Sequence, residues 1–246
     1  MPTKLDINTV AEILGVTPTT LRRWDADGTL ASNRESSTSH RYYFDYDIEN
    51  FLAANFKYLN NVAINWAFSK KDISSIIPSR LYCSDSSVFK ARLSKLEKAL
   101  QSDPKLKDNF SLITSVVGEI GNNSFDHNIG NWPDATGIFF GINLPEKKII
   151  LADRGQGVLA TLKKVKSSLT NDKDAITVAF NEIISGRPLE TRGNGLKYVK
   201  RIVMEYAMNL WFQSGKDAAT INNGFTVDEA KDNLRGCFAV LDYKGL

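Results

Sequence analysis

The run Glu119-Ile-Gly-Asn-Asn123-Ser-Phe-Asp126-His127 organises the second half of this 246-residue chain. Upstream and within it, Ile113, Val116, Val117 and Ile120 recur at the 3.6-residue period, which predicts a helix over 110–125. At about 100° per residue, Glu119, Asn123 and Asp126 then form a polar stripe beside the apolar one. A carboxylate next to a carboxamide suits metal-assisted phosphate chemistry, because Asn offers Mg²⁺ a hard oxygen and Glu can deprotonate water. Taken alone, the same stripe also suits an ordinary solvated helix face.

The downstream sequence narrows this choice. Residues 136–144 (TGIFFGINL) and 147–152 (KKIILA) are β-rich runs joined by Pro145-Glu146, so a hairpin is expected. The second run ends at Asp153-Arg-Gly155-Gln-Gly157, placing a carboxylate at a strand end, where it can accept a hydrogen bond from an exocyclic amine. The glycines let backbone approach a flat ring or a phosphate, although Asp and Gly are also common in plain turns. A third motif, Thr191-Arg192-Gly193-Asn194-Gly195-Leu196, precedes a helix expected over 196–208. Free N–H groups and the positive dipole end at a helix start suit phosphate.

In this order the three motifs resemble the N-box, the D-x-G-x-G box and the second glycine box of the GHKL ATPase superfamily, which includes gyrase-type topoisomerases, MutL and histidine kinases. The resemblance spans about residues 108–244. It implies an α+β fold, a two-layer α/β sandwich of the Bergerat type with helices on one face of a mixed sheet, and ATP with Mg²⁺ as cofactors. It further implies Glu119 as the base activating water, Asn123 as the Mg²⁺ ligand, Asp126 as a supporting pocket residue and Asp153 as the adenine reader. Gly155 and Gly157 would shape the adenine side, while Gly193, Gly195, Leu196 and the adjoining backbone would cover the phosphates, with Arg192 beside them. Residues 158–192 correspond to the superfamily's mobile lid, and 236–241 to its closing strand. The second glycine box is shorter than in many relatives, and no lysine-bearing transducer domain is expected after Leu246, so any ATPase activity is expected to be slow.

The N-terminal residues carry a separate signature. Thr9 to Glu12 is read as a capping box, Gly15-Val16 as a break, and Thr17-Pro18 as the cap and first turn of a second helix reaching Trp24 and closed by Gly28. Two short helices joined by a glycine turn describe a helix-turn-helix. Ala11, Leu14, Gly15, Val16, Thr20, Leu21, Arg22, Trp24, His40, Arg41 and Tyr43 together resemble the MerR and excisionase winged helix-turn-helix. This resemblance implies double-stranded DNA as partner and Thr19, Thr20, Arg22, Arg23, Arg41 and Tyr42 as the residues facing it. Residues 1–56 hold five basic residues (Lys4, Arg22, Arg23, Arg34, Arg41) against eight acids (Asp6, Glu12, Asp25, Asp27, Glu35, Asp45, Asp47, Glu49). A single copy should therefore bind DNA weakly, and a homodimer reading two half-sites would double the contacts. The alternative is a winged helix turned to protein contacts.

The expected organisation is a DNA-binding domain over 1–56, a helical connector over 57–107 and an ATP-binding domain over 108–246. In the connector, Phe89, Leu93, Leu96 and Leu100 share one helix face that can serve as a dimer seam or dock onto the ATP domain. Cys83 and Cys237 have no partner spacing for metal or disulfide, and neither a signal peptide nor a membrane-length apolar run is apparent, so a cytoplasmic protein is expected. Two functions follow: a transcriptional regulator whose grip on DNA responds to ATP, or a GHKL-type protein kinase or ATPase acting on a separate partner protein. The only histidines, His40 and His127, lie in the wing and the N-box, which argues against phosphorylation of a histidine in cis.

Overall fold

The computed structural model describes residues 2–70, 77–183 and 195–246. The chain opens with β1 (Lys4–Asp6), α1 (Ile7–Leu14) and α2 (Pro18–Asp27). Asp6 caps α1 by accepting the amides of Asn8 and Thr9 at 2.8 and 3.1 Å. The cap expected at Thr9 is thus displaced upstream, because the Asp6 carboxylate reaches the free amides of the first turn and also binds the Thr9 hydroxyl at 2.8 Å. Gly15, at φ +64°, ends α1 in the left-handed conformation that glycine adopts without strain. Thr17 caps α2 by accepting the amide of Thr20 at 3.1 Å, and Pro18 sits in its first turn.

β2 (Tyr42–Phe44) pairs antiparallel with β1, and Asn33 bridges to Tyr42, forming a small wing. α3 (Asp45–Ala54) follows β2 directly. Asp47 lies inside the first turn and accepts the amide of Phe44 at 3.4 Å. α4 (Phe56–Phe68) follows almost without a break.

After a 3-10 turn at Ser79–Leu81 come β3 (Tyr82–Cys83), α5 (Ser86–Gln101), α6 (Phe110–Asn128) and the hairpin of β4 (Ile138–Asn143) and β5 (Lys148–Asp153). Then follow α7 (Gly157–Leu162), α8 (Asp172–Asn181), α9 (Gly195–Glu205), β6 (Asn209–Ile221) and β7 (Phe225–Asp242). The five strands lie in the order β3-β4-β5-β7-β6, and every neighbouring pair is antiparallel. The expected mixed sheet is therefore corrected to an antiparallel one. β5 and β6 do run parallel, joined by the helical crossover of α7 to α9, but β7 inserts between them and opposes both.

Along these strands alternate side chains enter two cores. Phe140, Ile149, Leu151, Ala239 and Leu241 pack with Phe89, Ile113, Val117, Val199 and Val203 of the helices on one face. Phe139, Ile150, Ala152 and Phe238 pack with Leu59, Val62 and Trp66 of α4 on the other, continuous with Val10, Leu14, Leu21 and Trp24 of the N-terminal helices. Helices thus cover both faces, a second correction to the two-layer expectation. Its cause is that the central strands are apolar on both sides, and neither face can be left to water. Gly141 of β4 lets α4 come close, since a Cβ there would stand 3.0 Å from Leu59.

The segment read as a connector is divided between the two cores: α4 joins the N-terminal helices, while Phe89, Leu96 and Leu100 of α5 are buried against α6. The apolar face of α5 therefore docks within the chain. The long β6–β7 hairpin had no counterpart in the sequence reading beyond residues 236–241. Residues 228–233 of β7 are mostly polar and exposed, while Ala219, Ile221 and Val227 nearer the hairpin tip are buried in the main core, and Gly215 at φ +66° sits at a register shift, so alternation is interrupted.

Leu59 is fully buried where α4 meets the sheet. We predict that Leu59→Ala lowers stability by about 2–5 kcal/mol and that the N-terminal helices and the sheet still unfold in one transition. Urea denaturation followed by tryptophan fluorescence and far-ultraviolet dichroism checks both, and separate transitions for the two probes would refute the shared core.

Candidate functional site

α6 holds the first group of expected residues as its periodicity requires. Ile113, Val116, Val117 and Ile120 are buried, and Glu119, Asn123 and Asp126 stand half-buried on the adjoining stripe. The first residue of α9 lies directly against this stripe. A Cβ on Gly195 would stand 2.7 Å from Glu119 Oε2 and 3.3 Å from Asn123 Nδ2. A glycine at the helix start thus forms a cradle with a carboxylate and a carboxamide that a larger residue would fill. Leu196 packs its side chain onto the core, so what it can offer a ligand is backbone. Arg192 and Gly193 lie outside the described residues, as do Arg187 and the rest of 184–194.

Asp153 ends β5 at 1% exposure. Its carboxylate accepts the Ser124 hydroxyl at 2.7 Å and the Gly155 amide at 2.8 Å. Burial pushes its pKa up from 3.8 to about 6, against the lowering effect of these hydrogen bonds. Ser124 directly follows Asn123, so one turn of α6 presents Asn123 to Gly195 and Ser124 to Asp153, bringing the three sequence motifs onto a single helix.

The glycine pair after Asp153 is used for close approach. A Cβ on Gly155 would stand 2.1 Å from Asn128 Nδ2, and the amide of Gln156 donates to Asn128 Oδ1 at 2.8 Å. Gly157 adopts φ +79° at the start of α7, and the next amide, Val158, donates to Ser214 Oγ at 2.9 Å. Ser124, Asn128 and Ser214 were not among the expected site residues. Ser124 and Asn128 were legible in principle, being one helical turn apart beyond Asn123, whereas nothing local marks Ser214, which arrives from β6. Cys237 also lies beside Asp153, and burial followed by the Asp153 charge raises its thiol well above the ordinary range.

Part of the expected lid is packed. α7 and α8 enclose a small core of Leu162, Leu169, Ala175 and Val178, and Ile176 and Phe180 are fully buried in the main core. Of the lysines in this interval, Lys164 reaches Gln156 Oε1 at 3.0 Å and Lys166 pairs with Glu182 at 2.7 Å. Among the described residues no cluster of three or more His, Cys, Asp or Glu side chains could hold a metal. A metal at Asn123 would therefore need phosphate or water for its other ligands.

In the N-terminal module Leu21 and Trp24 point inward, and Trp24 rests 5.3 Å from Phe51 and 5.1 Å from Tyr58. Thr19, Arg22 and Arg23 are exposed on the opposite side of α2. Thr20 is half-buried, with its hydroxyl 3.0 Å from that of Thr17. Arg41 is engaged: its Nε lies 2.8 Å from Asp25 Oδ2, which ties the wing to α2. Tyr42 lies under Lys4, whose Nζ is 4.5 Å from the ring centroid. Polar contacts mount the module on the sheet, with Asn143 donating to Ala53 O at 2.9 Å and Arg80 pairing with the buried Glu49 at 3.0 Å. Among the described residues no helix is long and apolar enough to cross a membrane.

Residues 5–56 match the family described as MerR HTH family regulatory protein. They form a MerR-type helix-turn-helix, a DNA-binding module, with α2 as its second helix. The chain is also 42% identical over 53 residues to the Type II methyltransferase M.Eco47II of Escherichia coli. That match spans 22% of this chain and 13% of the methyltransferase.

The environment of Asp153 predicts a pH dependence of stability. Its folded pKa is raised, so the fold favours the protonated form, and the wild type loses stability as the pH rises from about 4 to about 6. Asp153→Asn removes this titration. Between pH 4.5 and 7 the stability difference should move in favour of the variant by on the order of 2 kcal/mol, which thermal melts at those two pH values would measure. A constant difference would show that Asp153 is not the buried acid described.

Proposed function

We propose that the protein is an ATP-binding, sequence-specific DNA-binding transcriptional regulator, in which a GHKL-type site of the Bergerat kind modulates the grip of the MerR-type module on DNA. The observation that carries this reading is the cradle of Gly195, Glu119 and Asn123, with Ser124 holding Asp153 one residue further along the same helix. An ionised Asp153 retains acceptor capacity beyond the bonds from Ser124 and Gly155. It would accept the exocyclic amine of adenine, at a turn that Gly155 and Gly157 keep packed closely on Asn128 and Ser214. The amides at the start of α9 would face the phosphates. Asn123 would hold Mg²⁺, which when bound offsets phosphate charge. Glu119 would take a proton from the attacking water, giving a slow ATPase.

On the DNA side, α2 would enter the major groove with Thr19, Arg22 and Arg23 towards the bases and phosphates, while Arg41 sets the angle of the wing through Asp25. With a net charge of −3 over 1–56, affinity would depend on pairing two copies over two half-sites. The same charge favours a second reading, a GHKL-type protein kinase or ATPase acting on a separate protein, with the winged helix as its interaction module.

Calorimetry with ATP and Mg²⁺ should give one site per chain, abolished by Asp153→Ala. Affinity should be level above about pH 6 and fall as Asp153 protonates below it. Glu119→Ala should still bind ATP and lose turnover by about 10²–10⁴-fold; hydrolysis at the parent rate would overturn its role as base. Selection from random duplex DNA should return a motif, and Arg22→Ala or Arg23→Ala should each reduce the salt slope of binding by about one. If selection returns no motif, the second reading replaces the first.

A further inference from the structure

Resting on the nucleotide reading above, we propose that Arg154, which lies inside the Asp153–Gly157 motif but faces away from it, is the positioning residue that transmits nucleotide occupancy to the DNA-reading helix. It is among the most deeply buried charged groups of the described residues, at 2% exposure. Its Nε and Nη2 hold Asp134 at 3.3 and 2.6 Å, and its Nη1 donates to the carbonyl of Trp66. Asp134 also pairs with Arg235 of β7. The guanidinium lies 5.9 Å from the ring of Trp66. Arg154 therefore joins the end of β5 to the last turn of α4, where the carbonyls carry the negative end of the helix dipole.

α4 leads from this point to the DNA-binding module. Trp66 is fully buried and packs on Phe139 of the sheet. Two turns earlier, Tyr58 packs edge-on against Trp24 of α2 at 5.1 Å and lies 5.3 Å from Phe51 of α3. Trp24 immediately follows Arg22 and Arg23 in α2. A displacement at the last turn of α4 thus reaches the recognition helix through one rigid helix about 20 Å long and one aromatic contact.

The peptide between Asp153 and Gly155 is constrained at both ends, since the Gly155 amide is bound to the Asp153 carboxylate and a Cβ at Gly155 would strike Asn128. If Asp153 shifts on engaging adenine, Arg154 moves with it. Held by Asp134 and Trp66 together, its guanidinium cannot absorb that shift by changing rotamer, so α4 must follow. Coupling of this kind is reciprocal: DNA must change nucleotide affinity by the same factor as nucleotide changes DNA affinity.

The test uses the full chain, a duplex obtained by selection, and a non-hydrolysable ATP analogue with Mg²⁺. In the wild type the analogue should change DNA affinity by at least about fivefold, with the same factor in the reverse titration. Arg154→Met should still bind the analogue and DNA separately, while the ratio collapses to one. In hydrogen exchange, the amides of residues 65–69 should respond to the analogue in the wild type and not in the variant. Should Arg154→Met fail to fold, Asp134→Asn, which keeps the arginine and removes its counter-ion, decides the matter by a reduced ratio. A wild type that binds the analogue without any change in DNA affinity overturns the coupling, as does full coupling in the variants. Absence of analogue binding by calorimetry overturns the nucleotide reading itself, and the coupling with it.

Discussion

The constraint on which this architecture turns is that β4, β5 and β7 are apolar on both faces. Phe140, Ile149 and Leu151 need cover on one side, and Phe139, Ile150 and Phe238 need it on the other. α6 and its neighbours bury the first set. The second is buried by α4, and α4 is continuous with the helix-turn-helix core. A module that could have been tethered by a flexible linker is instead part of the roof of the sheet, so its orientation is held by hydrophobic burial together with the Asn143–Ala53 and Arg80–Glu49 contacts.

The same sheet concentrates polar groups at one end of β5. Asp153 is the point where the strand leaves the core, and its burial is offset by hydrogen bonds from Ser124 and Gly155. Next to it in sequence, Arg154 is buried on the module's side with Asp134 as counter-ion. Opposite charges on adjacent residues thus go to opposite sides where β5 ends. One peptide therefore touches both the candidate site and the mount of the DNA-binding helices.

Several features were readable from residue pattern alone because their causes are local. Thr17, Pro18, Gly15 and Gly28 set the boundaries of the first helices through caps and left-handed turns. The Ile113 to Ile120 spacing placed Glu119, Asn123 and Asp126 on one stripe, and the β4–β5 hairpin followed from two β-rich runs and a short turn. Asp6, rather than Thr9, caps α1 because a competing carboxylate lay just upstream, a choice between neighbours that propensity does not rank.

What pattern could not supply depends on groups distant in sequence. The insertion of β7 between β5 and β6 makes the sheet antiparallel, and the mostly polar run 228–233 of that hairpin carries no strand signature. The close approach of Gly195 to Glu119 and Asn123, the arrival of Ser214 at the glycine turn and the bond from Arg154 to Trp66 each join segments far apart in the chain. Local sequence thus specified the helices, the hairpin and the residue types of the candidate site. Only packing both faces of one sheet decided which of those residues meet, because apolar burial is non-directional and its partners are chosen by the whole chain.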